Sequence, residues 1–440
     1  WEGRFLRRAG APRGLAPGGA RLGEDGRLAP EPRPRSPSGE ALHLALLGLA
    51  AACDGLPRTL VPAGQALAQL EHKAAALEAC RAAAPHLHGF LPVLAARGEG
   101  AALESDVSVR HNGMLAWALY FVTHALDEAG QPALAKRFGA HLQEMRAWAV
   151  HLCYKGRGKV AARVTVGPRQ DDEPVRSEQN CDDPCTGELF SLFLDLLADW
   201  GARPRSEREA LWTDVDRHRW LSAAPAGLGG PCSEASPEAA TRDWKYLALP
   251  YLARPAPRRL LLGAEKLRCQ RARRRGLPGL PRHAPAGCGS AAAGPASGGG
   301  RAEDEVEEED EDEQARCSAA TASGACALLL AEPAVGAAWL HSALSACEGV
   351  QTPWGMAEAC PSGGAAGGPL LDWDTKATTA LAALGGLGSW VGRYLERDGL
   401  LARFRAVVDC LYASLAPGPP AEELAGFLLP AGAEEEEEEE

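Results

Sequence analysis

Apolar residues recur at helical spacing along most of this chain. In the stretch 111–128, HNGMLAWALYFVTHALDE, Leu115, Leu119, Val122 and Leu126 follow one another at steps of three and four. That spacing puts them on one buried helical face. A second helix is expected at about 132–152, carrying Trp148 and Leu152 near its end. Residues 188–200, ELFSLFLDLLADW, are apolar on most sides, which predicts a helix deep in a core. Further helices are predicted near 64–84, 206–221, 243–252, 257–268, 326–347, 375–384, 388–398 and 400–415. Only KVAARVTV at 159–166 reads as a strand, and it alternates poorly.

About a dozen helices with almost no strand predict an all-α protein, built as a helical solenoid or a closed helical ring. No fixed-period repeat is present, which favours the ring. The run ALHLALLGLAA at 41–51 is shorter than the ~20 apolar residues needed to cross a bilayer, so no membrane partner is expected.

Composition changes this picture in three ways. The formal net charge of the 440 residues is −12, but Glu303 to Glu313 holds ten acids broken only by Val306, and Glu434 to Glu440 holds seven more. Removing those seventeen negative charges turns −12 into +5, so the rest of the chain is mildly basic. Isoleucine is absent, seven lysines stand against 39 arginines, and Asn112 and Asn180 are the two asparagines. Such a bias reflects G+C pressure on codons, which weakens alanine as a helix signal and Pro/Gly as a disorder signal. Thirteen cysteines, an odd number, imply no complete disulfide framework. Cys181 and Cys185 form a C-x3-C pair with no second Cys/His pair near it, so two ordinary thiols are expected and no metal or other cofactor.

The sequence divides into a flexible Arg/Pro/Gly-rich arm at 1–40, a helical domain at 41–428 and an acidic tail at 429–440. Starting at Trp1, it reads as a fragment or processed form. A low-complexity charged insertion at 269–325 interrupts the domain, reading as a disordered surface loop. The arginine cluster Arg268, Arg271, Arg273, Arg274 and Arg275 leads into it. That cluster is short, lacks interleaved aromatics and neighbours a stronger acidic block, so no nucleic-acid partner is expected.

Candidate chemistry gathers where helices begin. Glu104 to Gly113 sets Arg110, His111 and Asn112 around the start of the strongest helix, where Asn112 serves as a cap or faces a ligand. Glu188, in the first turn of the apolar helix, favours the helix dipole or a ligand. Trp117, Trp148, Trp200 and Trp390 lie within helical faces and read as core. Trp244, Trp354 and Trp373 instead stand in polar or Gly/Pro-rich sequence where rings can stack on sugars. Asp372 and Asp374 flank Trp373, with Glu358 in the preceding Gly-rich stretch. Asp374 is either the cap of the helix that Thr375 begins or part of a sugar site. Glycoside hydrolysis needs one carboxyl to protonate the leaving oxygen and a second to activate water or attack carbon.

The succession RHNGMLAWALYFVTHAL, TGELFSLFLDLLADW, DWKYLALPYL, RRLLLGAEKLR, PAVGAAWL, QTPWGMAEA and WDTKATTALAALGG resembles the eukaryotic, fungal-type endo-β-1,2-glucanases. The resemblance covers about 104–428, interrupted by 269–325. It implies an (α/α)6 toroid with a cleft at the end of the ring, an inverting mechanism and a β-glucan partner. It places Arg110, His111 and Asn112 in the cleft and Trp373 and Lys376 on an acidic loop; Glu188, Trp244, Lys245, Trp354 and Asp372 are further substrate-binding candidates. Asp374 becomes the base that activates water, and Glu358 faces the sugar. One departure stands out. An aromatic/Ser/His/Glu stretch supplying the general acid is expected before Trp244-Lys245, yet the sequence reads PCSEASPEAATRD, with Arg242 in the place of the glutamate and Glu238 nearby. The alternative is therefore a catalytically impaired helical scaffold that binds glucan or a protein.

Overall fold

In the computed structural model, described residues are 19–22, 28–30, 37–92, 106–167, 169, 172–181, 186–213, 243–274, 276–280, 322–346, 351–353, 355–357, 370–413 and 427–430. Helices dominate, in pairs that alternate between an inner and an outer layer. The inner helices are α1 (Pro37–Ala52), α3 (Val109–Glu128), α5 (Thr186–Leu196), α7 (Asp243–Ala248), α9 (Cys326–Ala331) and α11 (Trp373–Ala383). Between and after them come α2 (Ala63–Ala83), α4 (Pro132–Cys153), α6 (Arg205–Ala210), α8 (Pro255–Arg274), α10 (Pro333–Ala346), α12 (Gly388–Arg397) and α13 (Leu401–Ala413). Each inner helix packs on the next, and α11 packs back on α1, which closes the ring. This is the (α/α)6 toroid.

Side-chain contacts show that neighbouring inner helices run parallel. Lys245 in the first turn of α7 meets Glu188 in the first turn of α5. Gly113, one turn into α3, lies so close to α5 that a methyl group there would sit 3.0 Å from Phe190 Cβ and 3.1 Å from its backbone nitrogen. Only a residue without a side chain lets the helices approach this closely. Deeper in the ring, Gly48 of α1 faces Phe121 and Val122 of α3. The helix starts therefore gather at one end of the ring, the front.

The connections differ between the two ends. At the back, inner helices hand over to outer ones through 53–62, 129–131, 197–204, 249–254, residue 332 and 384–387. At the front, the described residues between outer and inner helices include 84–92, 106–108, 154–167, 172–181, 211–213, 276–280, 322–325, 351–353, 355–357 and 370–372. The front also carries the short strands. Strand β3 (Asp106–Ser108) runs straight into α3 and pairs with β6 (Arg163–Thr165), which pairs in turn with β7 (Val175–Arg176). Strand β1 (Gly19–Leu22) pairs with β2 (Leu28–Pro30) and with β10 (Leu370–Asp372), which leads into α11. Strands β4 (Tyr154–Gly156) and β5 (Lys159–Val160) form a hairpin, as do β8 (Gln351–Thr352) and β9 (Gly355–Met356).

The core follows from the apolar stripe read in α3: Leu115, Trp117, Leu119, Phe121, Val122 and Leu126 are all fully buried. Each such side chain contributes about 1.5–3 kcal/mol of transfer free energy. Three expectations change. The stretch read as an arm to residue 40 contains β1, β2 and the first turn of α1. Pro37 at a helix start with Glu40 in the first turn is itself a helix-start signature. The boundary at 269 also moves, because α8 continues to Arg274 with Cys269 and Ala272 buried in a small second core beside Leu280, Leu328 and Trp339. The arginine cluster is thus largely the last turns of a packed helix. Arg273 donates to Leu429 O at 2.6 Å and Trp339 Nε1 donates to Leu428 O at 3.1 Å, so the chain near 427–430 lies on the outer wall. Finally, the strand expected at 159–166 breaks into β5, an isolated bridge at Ala161 and β6.

Candidate active site

The described candidates fall at starts of inner helices, so the ring brings them to one end. What the side chains do there divides them. Asn112 is fully buried inside α3, where its amide accepts from Leu91 N and donates to Leu91 O and Ser108 O, all at 2.9 Å. It neither caps α3, whose N-cap is Ser108, nor faces the cleft; it clamps the segment entering the ring. Its neighbour His111 is partly exposed, and burial together with the charges of Arg110 and Arg163 lowers its pKa to about 4. The imidazole is therefore neutral near pH 7, and its Nδ1 has no hydrogen-bond partner among the described residues. Arg110 is half-buried beside it.

Glu188 and Lys245 find each other. Lys245 Nζ donates to Glu188 Oε2 at 3.1 Å and to Tyr412 Oη at 2.5 Å. Tyr251 Oη donates to Glu188 Oε1 at 2.5 Å, and Tyr412 Oη lies 3.1 Å from Oε2. The rings of Tyr246, Tyr251 and Tyr412 surround the ammonium at 5.2–5.4 Å, within cation–π range. Exposures of 3% and 4% leave neither charge room for a sugar. The pair is a satisfied buried network across the seam between α5 and α7. Its tyrosines carried no signal of their own in the sequence, since each sits in an ordinary helical pattern.

The seam between α11 and α1 is built differently. Asp372, not Asp374, is the N-cap of α11, with its side chain accepting from Thr375 N at 2.8 Å. Asp374 is thereby released from the capping role and lies half-buried in the first turn. Ser38 Oγ donates to Asp374 Oδ2 at 3.4 Å, and Gly39 faces Oδ1. Trp373 is fully buried, not an open platform: its Nε1 donates to Gly39 O at 3.1 Å and its ring packs on His43 at 4.6 Å. Trp244 is buried as well, and so is Lys376. Burial and the nearby charge of Lys73 hold His43 well below the usual histidine pKa. Behind this seam Glu40 and Lys73 form a buried ion pair, with both carboxylate oxygens 2.8 Å from Nζ. Ser38, Gly39 and Glu40 lie in the stretch read as an arm, whose Arg/Pro/Gly-rich composition carries no signal of a site. Trp354, Glu358 and Glu238 lie outside the described residues, as do Arg242 and Cys185. Among the described residues, no three His, Cys, Asp or Glu side chains gather to hold a metal ion. No described helix is long and apolar enough to cross a membrane.

Comparison with known proteins agrees with this architecture. The endo-β-1,2-glucanase family SGL_GH162 matches residues 26–432, from β2's approach to the segment on the outer wall. The chain belongs to this glycoside hydrolase family. Among solved structures, a Glu→Gln mutant of endo-β-1,2-glucanase from Talaromyces funiculosus in complex with β-1,2-glucan superposes with a TM-score of 0.79. It is 22% identical, and the match covers 98% of this chain and 91% of that one. The Talaromyces funiculosus enzyme with sophorose gives 0.76 at 20% identity, covering 97% and 91%. The endo-β-1,2-glucanase from Chitinophaga pinensis, with sophorotriose and glucose, gives 0.57 at 13% identity, covering 93% and 95%. No curated protein matches by sequence. The family match begins inside the stretch read as an arm and ends beyond α13, so the matched region takes in β2 and α1.

Proposed function

We propose that this chain hydrolyses β-1,2-linked glucan internally, by single displacement with inversion, and that Asp374 is the base that activates water. One observation carries the assignment of the base. Asp374 lies half-buried in the first turn of α11, with α1 against one side. Glu188 and Glu40 are enclosed and neutralised by lysines, and Asp372 caps its helix. A base must reach the proton it removes, and the enclosed, lysine-paired Glu188 and Glu40 cannot. Helix starts also favour the ionised form, which is the form a base needs. His111, neutral near pH 7, and Arg110, at the start of α3 on the other side of α1, supply hydrogen bonds to sugar hydroxyls.

The proton donor in this reading is Glu358 or Glu238. An inverting pair stands roughly 6.5–9.5 Å apart, leaving room for the attacking water. Asp374→Asn should lower kcat on β-1,2-glucan by about 10²–10⁴-fold, measured as reducing-sugar release. Glu358→Gln and Glu238→Gln identify the donor: the true acid variant loses turnover of the glucan but keeps it on an aryl β-sophoroside, whose leaving group needs no proton. The first product anomer, followed by proton NMR, must be α. No sugar release by the unaltered chain between pH 4 and 8 would remove the hydrolase reading. In its place would stand a scaffold that binds glucan without cleaving it, the reading favoured by Arg242 at the place where the resemblance expects a glutamate. Its binding would be indifferent to Asp374→Asn.

A further inference from the structure

Resting on the assignment of Asp374 as base, we infer that Ser38 and Gly39 are positioning residues of the reaction. They orient the carboxylate from the far end of the chain. Three features of the first turn of α1 converge on the first turn of α11. Ser38, itself buried, directs its hydroxyl to Asp374 Oδ2 at 3.4 Å. Gly39 O accepts from Trp373 Nε1 at 3.1 Å, which locks the residue preceding the base. A methyl group at Gly39 would sit 2.8 Å from Asp374 Oδ1 and 3.3 Å from Trp373 Cδ1, so the glycine is the space in which that oxygen rests.

Together these bound the carboxylate on its α1 side. One oxygen is held by a hydroxyl and the other lies against a bare backbone, so the side chain is confined in the direction of α1. The serine bond is long for O–H···O, and hydrogen bonds to catalytic groups commonly tighten once substrate is bound. The turn itself is anchored: Glu40, the next residue, is paired at 2.8 Å to Lys73 of α2, so Ser38 and Gly39 cannot drift along the helix axis. Neither residue needs to touch the glucan for this; both act through Asp374.

The test uses the full chain and linear β-1,2-glucan, with kcat and KM measured separately and melting followed by circular dichroism. Removing one hydrogen bond to a charged group predicts a fall in kcat of about tenfold for Ser38→Ala, with KM changed less than about twofold. Ser38→Thr, which keeps the hydroxyl, should recover most of that kcat. Gly39→Ala should lower kcat by more than Ser38→Ala does, because it displaces Oδ1 directly. Should Gly39→Ala not fold, the Ser38 pair decides. A Ser38→Ala chain with unchanged kcat overturns the inference, as does one whose KM alone rises, or a Thr variant no better than Ala. An unaltered chain that releases no sugar overturns the hydrolase reading and this inference with it. Turnover by the unaltered chain together with an indifferent Ser38→Ala overturns the inference alone.

Discussion

Two seams of the ring place acidic side chains at equivalent depth and use them in opposite ways. Across α5 and α7, Glu188 meets a lysine from the neighbouring inner helix and two tyrosine hydroxyls, and the whole group is sealed from water. Across α11 and α1, Lys73 of an outer helix is engaged with Glu40, while Asp374 meets a serine hydroxyl and stays half-buried. The first seam seals its acid from water and the second leaves its acid half-buried. A polar residue in the first turn of an inner helix is thus no evidence of a substrate contact. What matters is whether its neighbour across the seam neutralises and covers it.

The comparison can be broken by substitution. Its largest expected effect is at the closed seam. Lys245→Met leaves Glu188 ionised and buried without its countercharge, which should cost about 3–5 kcal/mol, read as a lower midpoint in urea. Glu188→Gln combined with Lys245→Met should cost less than Lys245→Met alone, because no unpaired charge is left. Equal costs would mean that the tyrosines, not the ion pair, hold this seam.

Acid comes next. His141 and His111 are held at about pKa 4 by burial, and His43 also lies well below its usual value. Their neutral forms belong to the folded state, so below about pH 6.5 the unfolded chain binds protons that the folded chain refuses. Stability from these groups is present above pH 6.5 and is lost as pH falls from there toward 4. Urea midpoints measured across that window should drop steadily. In His43→Phe, which keeps a ring against Trp373, the drop should be shallower. The smallest effect is at the open seam: Trp373→Phe removes one buried indole hydrogen bond to Gly39 O and should cost about 1 kcal/mol, with a modest fall in kcat as Asp374 loosens.

Much of the ring was legible in the sequence, because helices with a broad apolar face declare themselves through spacing; α3, α4 and α11 lie close to where their patterns put them. The first turn of α1 was hidden by an Arg/Pro/Gly-rich lead-in, and the end of α8 by arginines that look like loop but pack Cys269 and Ala272 between them. For the site, spacing located the right helix starts but not the partners. Whether Trp373 is a platform or a core residue depends on Gly39, and whether Glu188 faces a sugar depends on Tyr251 and Tyr412. Such facts arise only when distant segments meet. Capping was likewise ambiguous by two positions, and the structure gave it to Asp372 rather than Asp374.

Closure of the ring by its first and last inner helices bears on how the protein is made. Ser38 and Asp374 are separated by 336 positions, so on a ribosome the carboxylate and its support cannot meet until α11 has left the exit tunnel. Until then the side of α1 that packs on α11 is without its partner. Such a nascent chain exposes apolar surface for most of its synthesis and invites chaperone capture. Chains stopped short of α11 should accumulate as aggregates or degradation products, never as a partly active enzyme.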